Sequence, residues 1–171
     1  MSSIDLVLLG LLSRQEKSAY DLAKEIERYD LDNVVRLSIP AIYKNVKQLE
    51  ERGYLSRRET RRGEMPEKTM YSLTNNGREY FYDLMEKYAA ERVRYRFDFN
   101  SVVLHIDKVP KKRREQLLLI LRDQLVAGRK DIEKSLLAWG KKSPAAGLIL
   151  RQVELVGRAL GEWIDTALHQ L

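Results

Sequence analysis

The stretch SIPAIYKNVKQLEERGYLSRRETRRGEMPEKTMYSLT, residues 38–74, changes its apolar period once and leaves few folds open. Ile42, Val46 and Leu49 recur at three- and four-residue intervals, the stripe of an amphipathic helix. Ser38 stands two residues before Pro40, a serine cap with proline in the first turn, and Gly53 supplies a left-handed stop. Beyond it, YLSRRET and KTMYSLT have strand character and flank RRGEMP, where Gly63 and Pro66 mark a hairpin turn. The segment reads helix, strand, turn, strand.

Two more helices precede it. Ser2 or Ser3 is the expected cap of the first, in which Leu6, Leu8, Leu9, Leu11 and Leu12 are mostly buried. The polar run from Ser13 to Lys17 reads as a turn. Ser18 caps the second helix, whose Leu22, Ile26 and Tyr29 share a face. DLDNVVRL is a connection, with a short extended piece expected at Val34 to Leu37. Three helices and a hairpin in this order make a winged helix-turn-helix.

Thr74 opens a fourth helix with Phe81, Leu84, Tyr88 and Tyr95 spaced on one side. RFDFNSVVLHIDKV is an aromatic-rich connection holding a short helix. Pro110 starts a long helix carrying Leu118, Leu121, Leu125, Ile132 and Leu136, and GKKSPAAG breaks the chain. In the last helix Ile149, Val153, Val156, Leu160, Ile164, Ala167 and Leu171 keep a near-heptad spacing almost to the end. The expected fold is mainly α with a small β-hairpin wing. Its N-terminal winged helix-turn-helix (residues 1–85) is followed by a long-helix domain (86–171) for dimerisation and effector binding.

The 171-residue chain has no cysteine, which excludes disulfides, a thiolate zinc site and a cysteine nucleophile, and suits a reducing cytosol. MSSIDLVLLGLLSRQ lacks the basic start of a secretory signal, and Asp5 interrupts it. No run approaches the roughly 20 apolar residues of a membrane span. The expectation is a soluble cytoplasmic protein with no membrane partner. His105 and His169 are the two histidines, far from metal-ligand spacing, and there is no phosphate-binding glycine loop or nucleophile motif. Neither catalysis, nor a cofactor, nor a metal is expected.

The formal net charge of +6 suits an anionic partner but does not name one. Its distribution says more. From Arg36 to Arg62 there are six Arg and two Lys against three Glu, whereas the rest of the first 73 residues is net acidic. With Ile42, Val46 and Leu49 inward, Ala41, Lys44, Asn45, Lys47 and Gln48 face outward, and such donors and acceptors read base edges in a major groove. Tyr43 lies at the margin, where a phenol bonds a phosphate, and Ser38 stands at the helix start. Arg57, Arg58, Arg61, Arg62 and Lys68 lie on or beside the hairpin, placed to press on phosphates or a minor groove. Ser18 and Tyr20 at the second helix N-terminus are candidate phosphate contacts. The plain alternatives are a solvated helix face, a serine that caps and a tyrosine that packs. A winged-helix module that binds protein instead of DNA is the competing function.

The segments LLGLLSRQEKSAYDLAKEIE, IPAIYKNVKQLEERGYLSRRE and YSLTNNGREYF resemble the PadR family of bacterial transcriptional regulators. The likeness covers about the first 85 residues and is strongest at Ile42-Tyr43, Leu49-Glu50, Gly53-Tyr54-Leu55 and Tyr71-Ser72-Leu73-Thr74 with Gly77. The helical second half resembles the dimerisation domain of the longer PadR type. The resemblance implies a homodimeric repressor on double-stranded operator DNA, released by a small phenolic or other aromatic ligand. Two positions depart from the family pattern. Ala19 replaces a glycine before the tyrosine of the second helix, and the wing tip reads Gly63, Glu64, Met65, Pro66 in place of glycine, arginine, proline.

A two-fold dimer would set two reading helices on successive major grooves of a pseudo-palindrome. Ile149, Val153, Val156, Gly157, Leu160, Gly161, Ile164 and Leu168 are the expected dimer seam, with packing against the chain's own long helix as well. Candidates for an effector pocket are Tyr95, Phe97, Phe99, His105, Trp139 and Trp163, with Arg94 or Arg96 to pair an acidic ligand. Core packing is the simpler role for each aromatic. PKKRRE at 110–115 reads as the solvated start of a helix.

Overall fold

The computed structural model describes residues 3–29, 31, 35, 37–60, 68–140 and 144–170, without the side chains of residues 135 and 138–140. Arg61, Arg62 and the rest of the expected hairpin turn lie outside the described residues, as do Ser2, Val34, Arg36 and the side chain of Trp139. The chain divides into two compact units, Met1–Arg92 and Val93–Leu171.

In the first unit α1 (Ser3–Leu12), α2 (Ala19–Arg28) and α3 (Ile39–Glu51) are followed by β1 (Leu55–Thr60), β2 (Lys68–Leu73) and α4 (Asn75–Ala90). Helix α2 starts where its chemistry requires. The Ser18 Oγ accepts from the Asp21 N–H at 3.1 Å, and the Asp21 carboxylate accepts from the Ser18 N–H at 3.2 Å, a reciprocal capping box. Leu8, Leu9, Leu22 and Ile42 are fully buried, with Val46 and Leu49 at 1% exposure. Each such side chain stabilises the fold by about 1.5–3 kcal/mol relative to an exposed one, more than the roughly 1 kcal/mol of a typical cap.

The strands pair antiparallel from Leu55↔Leu73 to Thr60↔Lys68. Lys17, expected in a turn, instead forms a bridge on the outer edge of β2. Its N–H donates to the Tyr71 carbonyl at 3.1 Å, and the Tyr71 N–H returns to the Lys17 carbonyl at 2.9 Å. The hairpin is thereby stitched to the α1–α2 turn. The expected extended piece after α2 is not seen at Val35, whose N–H turns back to the Leu31 carbonyl at 2.8 Å.

The base of the hairpin is the tightest point of this unit. Gly53 ends α3 at φ +76°, a conformation that L side chains avoid. Thr74, the cap of α4, donates its hydroxyl to the Gly53 carbonyl at 2.8 Å and accepts from the Gly77 N–H at 3.0 Å. A Cβ on Gly77 would stand 2.0 Å from the Tyr54 carbonyl oxygen, so no other residue fits there. The Tyr54 and Tyr80 rings stack at 4.1 Å, and the Arg52 guanidinium lies over both. Helix α4 ends at Ala90, beyond residue 85, and Tyr95 is not part of it because Glu91 already has extended backbone.

The second unit holds the short α5 (Asn100–Val103), a 3-10 turn (Ile106–Lys108), and the long helices α6 (Lys111–Gly140) and α7 (Pro144–Gln170). Ile106, Leu118 and Ile164 form its core with Leu121, Leu125, Trp163 and Leu168 packed around them. At another level the Arg129 stem crosses Gly157, where a Cβ would meet Arg129 Cδ at 2.5 Å. Among the described residues no helix is long and apolar enough to cross a membrane.

The Gly77 contact makes a quantitative test. Gly77→Ala should lower unfolding stability in urea by about 3 kcal/mol, near the upper end of overpacking costs. Gly53→Ala, which has room but the wrong backbone, should cost about 1 kcal/mol.

Candidate nucleic-acid interface

Helix α3 has one side sealed in the core and the other in solvent. Tyr43, Lys44, Lys47 and Gln48 are exposed, while Ala41 and Asn45 are half-buried. Asn45 is less available than its position implies, because its Nδ2 donates to the Ala41 carbonyl at 2.7 Å. Ser38 is exposed and its side chain makes no capping bond, so its hydroxyl is left for another acceptor. Lys47 makes a loose pair with Glu51 at 3.8 Å.

Ser18 is placed differently from Tyr20. The serine is 4% exposed, and its Oγ both accepts from the Asp21 N–H and donates to the Asp21 carboxylate. Its side chain is committed to the cap, and a phosphate would reach only the helix start around it. Tyr20 is 53% exposed with the Lys24 ammonium 4.8 Å from its ring centre, a cationic-aromatic pair open to solvent.

The hairpin contributes Arg57, Arg58 and Lys68, all exposed. Arg57 Nε lies 3.4 Å from Glu50, Arg58 pairs with Glu16, and Lys68 lies 2.7 Å from Asp21. Sequence reasoning missed these carboxylate partners: Glu50 comes from the end of the preceding helix, whereas Glu16 and Asp21 lie 42 and 47 residues from Arg58 and Lys68. Burial alone would raise the Asp21 carboxyl. Hydrogen bonds from Lys68 and from the Ser18 side chain and backbone outweigh it and hold Asp21 below the ordinary carboxylate range.

Of the eight expected seam residues, Ile164 is buried within its own chain and the other seven are half-buried. Gly157, Leu160, Gly161 and Ile164 border a cavity of about 170 Å³ with Arg122, Leu125 and Arg129 of α6. The seam is thus turned at least partly toward α6 of the same chain. Among the described residues the exposed large apolar side chains of these helices are Ile120, Val126, Leu137, Leu148 and Leu155. Among the effector candidates the structure brings Phe97, Phe99 and Trp163 together, with ring centres 5.0 and 5.7 Å apart. Tyr95 is 77% exposed, and His105 Nδ1 lies 3.1 Å from Lys108 Nζ. Among the described candidates Tyr95, Phe97, Phe99, His105 and Trp163, none borders the cavity between α6 and α7. Among the described residues no cluster of His, Asp and Glu could hold a metal ion.

An amphipathic helix presented beside a basic hairpin defines the first unit as a winged helix-turn-helix domain. Residues 8–83 match the model of the transcriptional regulator PadR-like family, to which this part of the chain is similar. The negative transcriptional regulator PadR of Bacillus subtilis is 31% identical over 83 residues, 48% of this chain and 45% of that protein. The sequence match therefore spans about half the length of this curated relative. Over the whole chain the fold is similar to that of Bacillus subtilis PadR crystallised with operator DNA, with a TM-score of 0.80 at 22% identity, covering 100% of this chain and 99% of that one. It is also similar to Bacillus subtilis PadR crystallised with p-coumaric acid, with a TM-score of 0.78 at 20% identity, covering 96% of this chain and 93% of that one.

The depressed Asp21 value sets a sign for pH dependence. Its contribution is present above the ordinary carboxylate range and is lost as pH falls through the lower folded-state value. Asp21→Asn should cost about 1 kcal/mol or less at neutral pH, since the pair is partly screened by solvent. Urea unfolding of both proteins should show this difference shrinking toward zero as pH falls below the ordinary carboxylate range.

Proposed function

We propose that the protein is a sequence-specific DNA-binding transcriptional regulator, a repressor acting as a homodimer on a pseudo-palindromic operator. The observation that carries this reading is the paired surface of α3 and the hairpin. Tyr43, Lys44, Lys47 and Gln48 stand on a helix whose opposite side is locked in the core, and Arg57, Arg58 and Lys68 stand beside it. In this reading α3 enters the major groove, where Lys44 and Gln48 meet base edges and Ala41 allows close approach. Ser38, Tyr43 and Tyr20 contact phosphates and fix the register. The wing meets the adjoining backbone or minor groove, and Arg61 and Arg62 are further candidates from the sequence for that contact.

The second unit supplies the two-fold partner. Exposed Leu148 and Leu155 on α7, with Ile120 and Leu137 on α6, give apolar area for a second copy. Ile149, Val153, Val156, Gly157, Leu160, Gly161 and Leu168 extend that seam, while Ile164 acts from within its own chain. The effector is a small aromatic acid, a class supported by the p-coumaric acid complex of the similar PadR structure. The Phe97–Phe99–Trp163 stack is the aromatic surface for it, and its binding lowers operator affinity by favouring a second dimer state. The protein works by binding in the cytoplasm, without catalysis or cofactor.

Replacing Lys44 and Gln48 together by alanine should abolish operator selection and weaken binding at least about tenfold, with the dimer still folded. Gel shifts on a duplex selected from a random pool measure this, and undiminished affinity would refute the reading helix. Deleting Arg151 to Leu171 should yield monomers or aggregates by light scattering. A well-behaved dimer would contradict the α7 assignment.

A further inference from the structure

Among the described residues the hairpin cations are already engaged in the free protein. Each of Arg57, Arg58 and Lys68 ends on a carboxylate from a helix or the turn before one. The strand register places Arg58, paired with Met70, and Lys68, paired with Thr60, on one face of the hairpin. That face carries both ion pairs to the start of α2, with Glu16 and Asp21 as the acceptors. Lys44 on α3 has no such partner among the described residues.

The two carboxylates are held differently. Asp21 accepts from the Ser18 N–H and Oγ as well as from Lys68 Nζ, at 3.2, 2.9 and 2.8 Å. It keeps its capping bonds if Lys68 leaves. Glu16 is 40% exposed in a polar turn and holds Arg58, itself 64% exposed. Pairs this open to water are weak, and a phosphate that releases a condensed counterion can displace the carboxylate.

Resting on the DNA-binding reading above, we propose that Glu16 and Asp21 are phosphate surrogates. They hold Arg58 and Lys68 on the DNA-facing edge of the wing in the free protein and yield them to backbone phosphates on binding. The affinity contributed by the wing is then set by the carboxylates it must leave, and Glu16 is a residue that weakens DNA binding. The gain on removing it carries no sequence preference, because phosphate contacts carry none.

Glu16→Gln removes the competitor without touching α3, the cap or the core. Fluorescence anisotropy at fixed salt, using the full chain, compares a duplex selected from a random pool with an unrelated duplex. Glu16→Gln should bind both about two- to fivefold more tightly, with thermal unfolding unchanged. In an Arg58→Gln background the same change should give no gain. Weaker binding by Glu16→Gln would make Glu16 a mere support of the wing and overturn the inference. An equal gain with Arg58→Gln would make it a long-range repulsion of DNA and overturn it too. If the native chain binds no duplex with salt-dependent affinity, the regulator reading fails and this inference fails with it.

Discussion

Everything that projects from the first unit is referred to one contact, the seating of the Gly77 backbone against the Tyr54 carbonyl. A Cβ at Gly77 would come within 2.0 Å of that oxygen. The Thr74 hydroxyl bonds the Gly53 carbonyl on one side and the Gly77 amide on the other. The end of α3, both ends of the hairpin and the start of α4 are therefore fixed within a few ångströms. Through the Tyr54–Tyr80 stack, and the Tyr80 hydroxyl 3.5 Å from Asp5, the same corner reaches α1. The angle between α3 and the wing is a property of this corner, not of either element alone.

That rigidity explains how a modest amount of exposed charge can form a site. Lysine and arginine side chains lose substantial rotamer freedom when fixed. Here the backbones carrying them are set in advance, and the hairpin is stitched on its second edge by Lys17. Preorganisation of this kind lowers the ordering cost of binding more than it adds contacts.

The amino-acid order makes local chemistry legible and long-range pairing much less so. Ser18, Gly53 and Thr74 could be read as a cap, a stop and a cap because each acts within a few residues of itself. The stripe of Ile42, Val46 and Leu49 likewise announces its own burial. The partners of Arg58 and Lys68 lie 42 and 47 residues away, and no periodicity points to them. Lys17 looks polar and turn-like because a single bridge residue leaves no alternating pattern. Tyr95 matches the face of Tyr88 in sequence because seven residues make nearly two helical turns, yet the helix has already ended. The near-heptad of α7 specifies an apolar face but not whose helix covers it. Gly157 against Arg129 and Ile164 in the core show that α6 of the same chain takes part of it.

Simultaneous contact of α3 and the wing with one duplex is the centre of this account. The chain lacks cysteine, so a single introduced thiol can carry a DNA-cleaving iron chelate to one place. Lys47→Cys on α3 and Glu59→Cys on β1 put the probe on the helix and on the wing in turn. Cleavage mapped on a duplex selected by the native chain should show a major-groove pattern from Lys47→Cys. Glu59→Cys should cut at the adjoining minor groove or backbone, in the same half-site. Cleavage from the helix position with none from the wing, or from neither, would contradict the two-element grip.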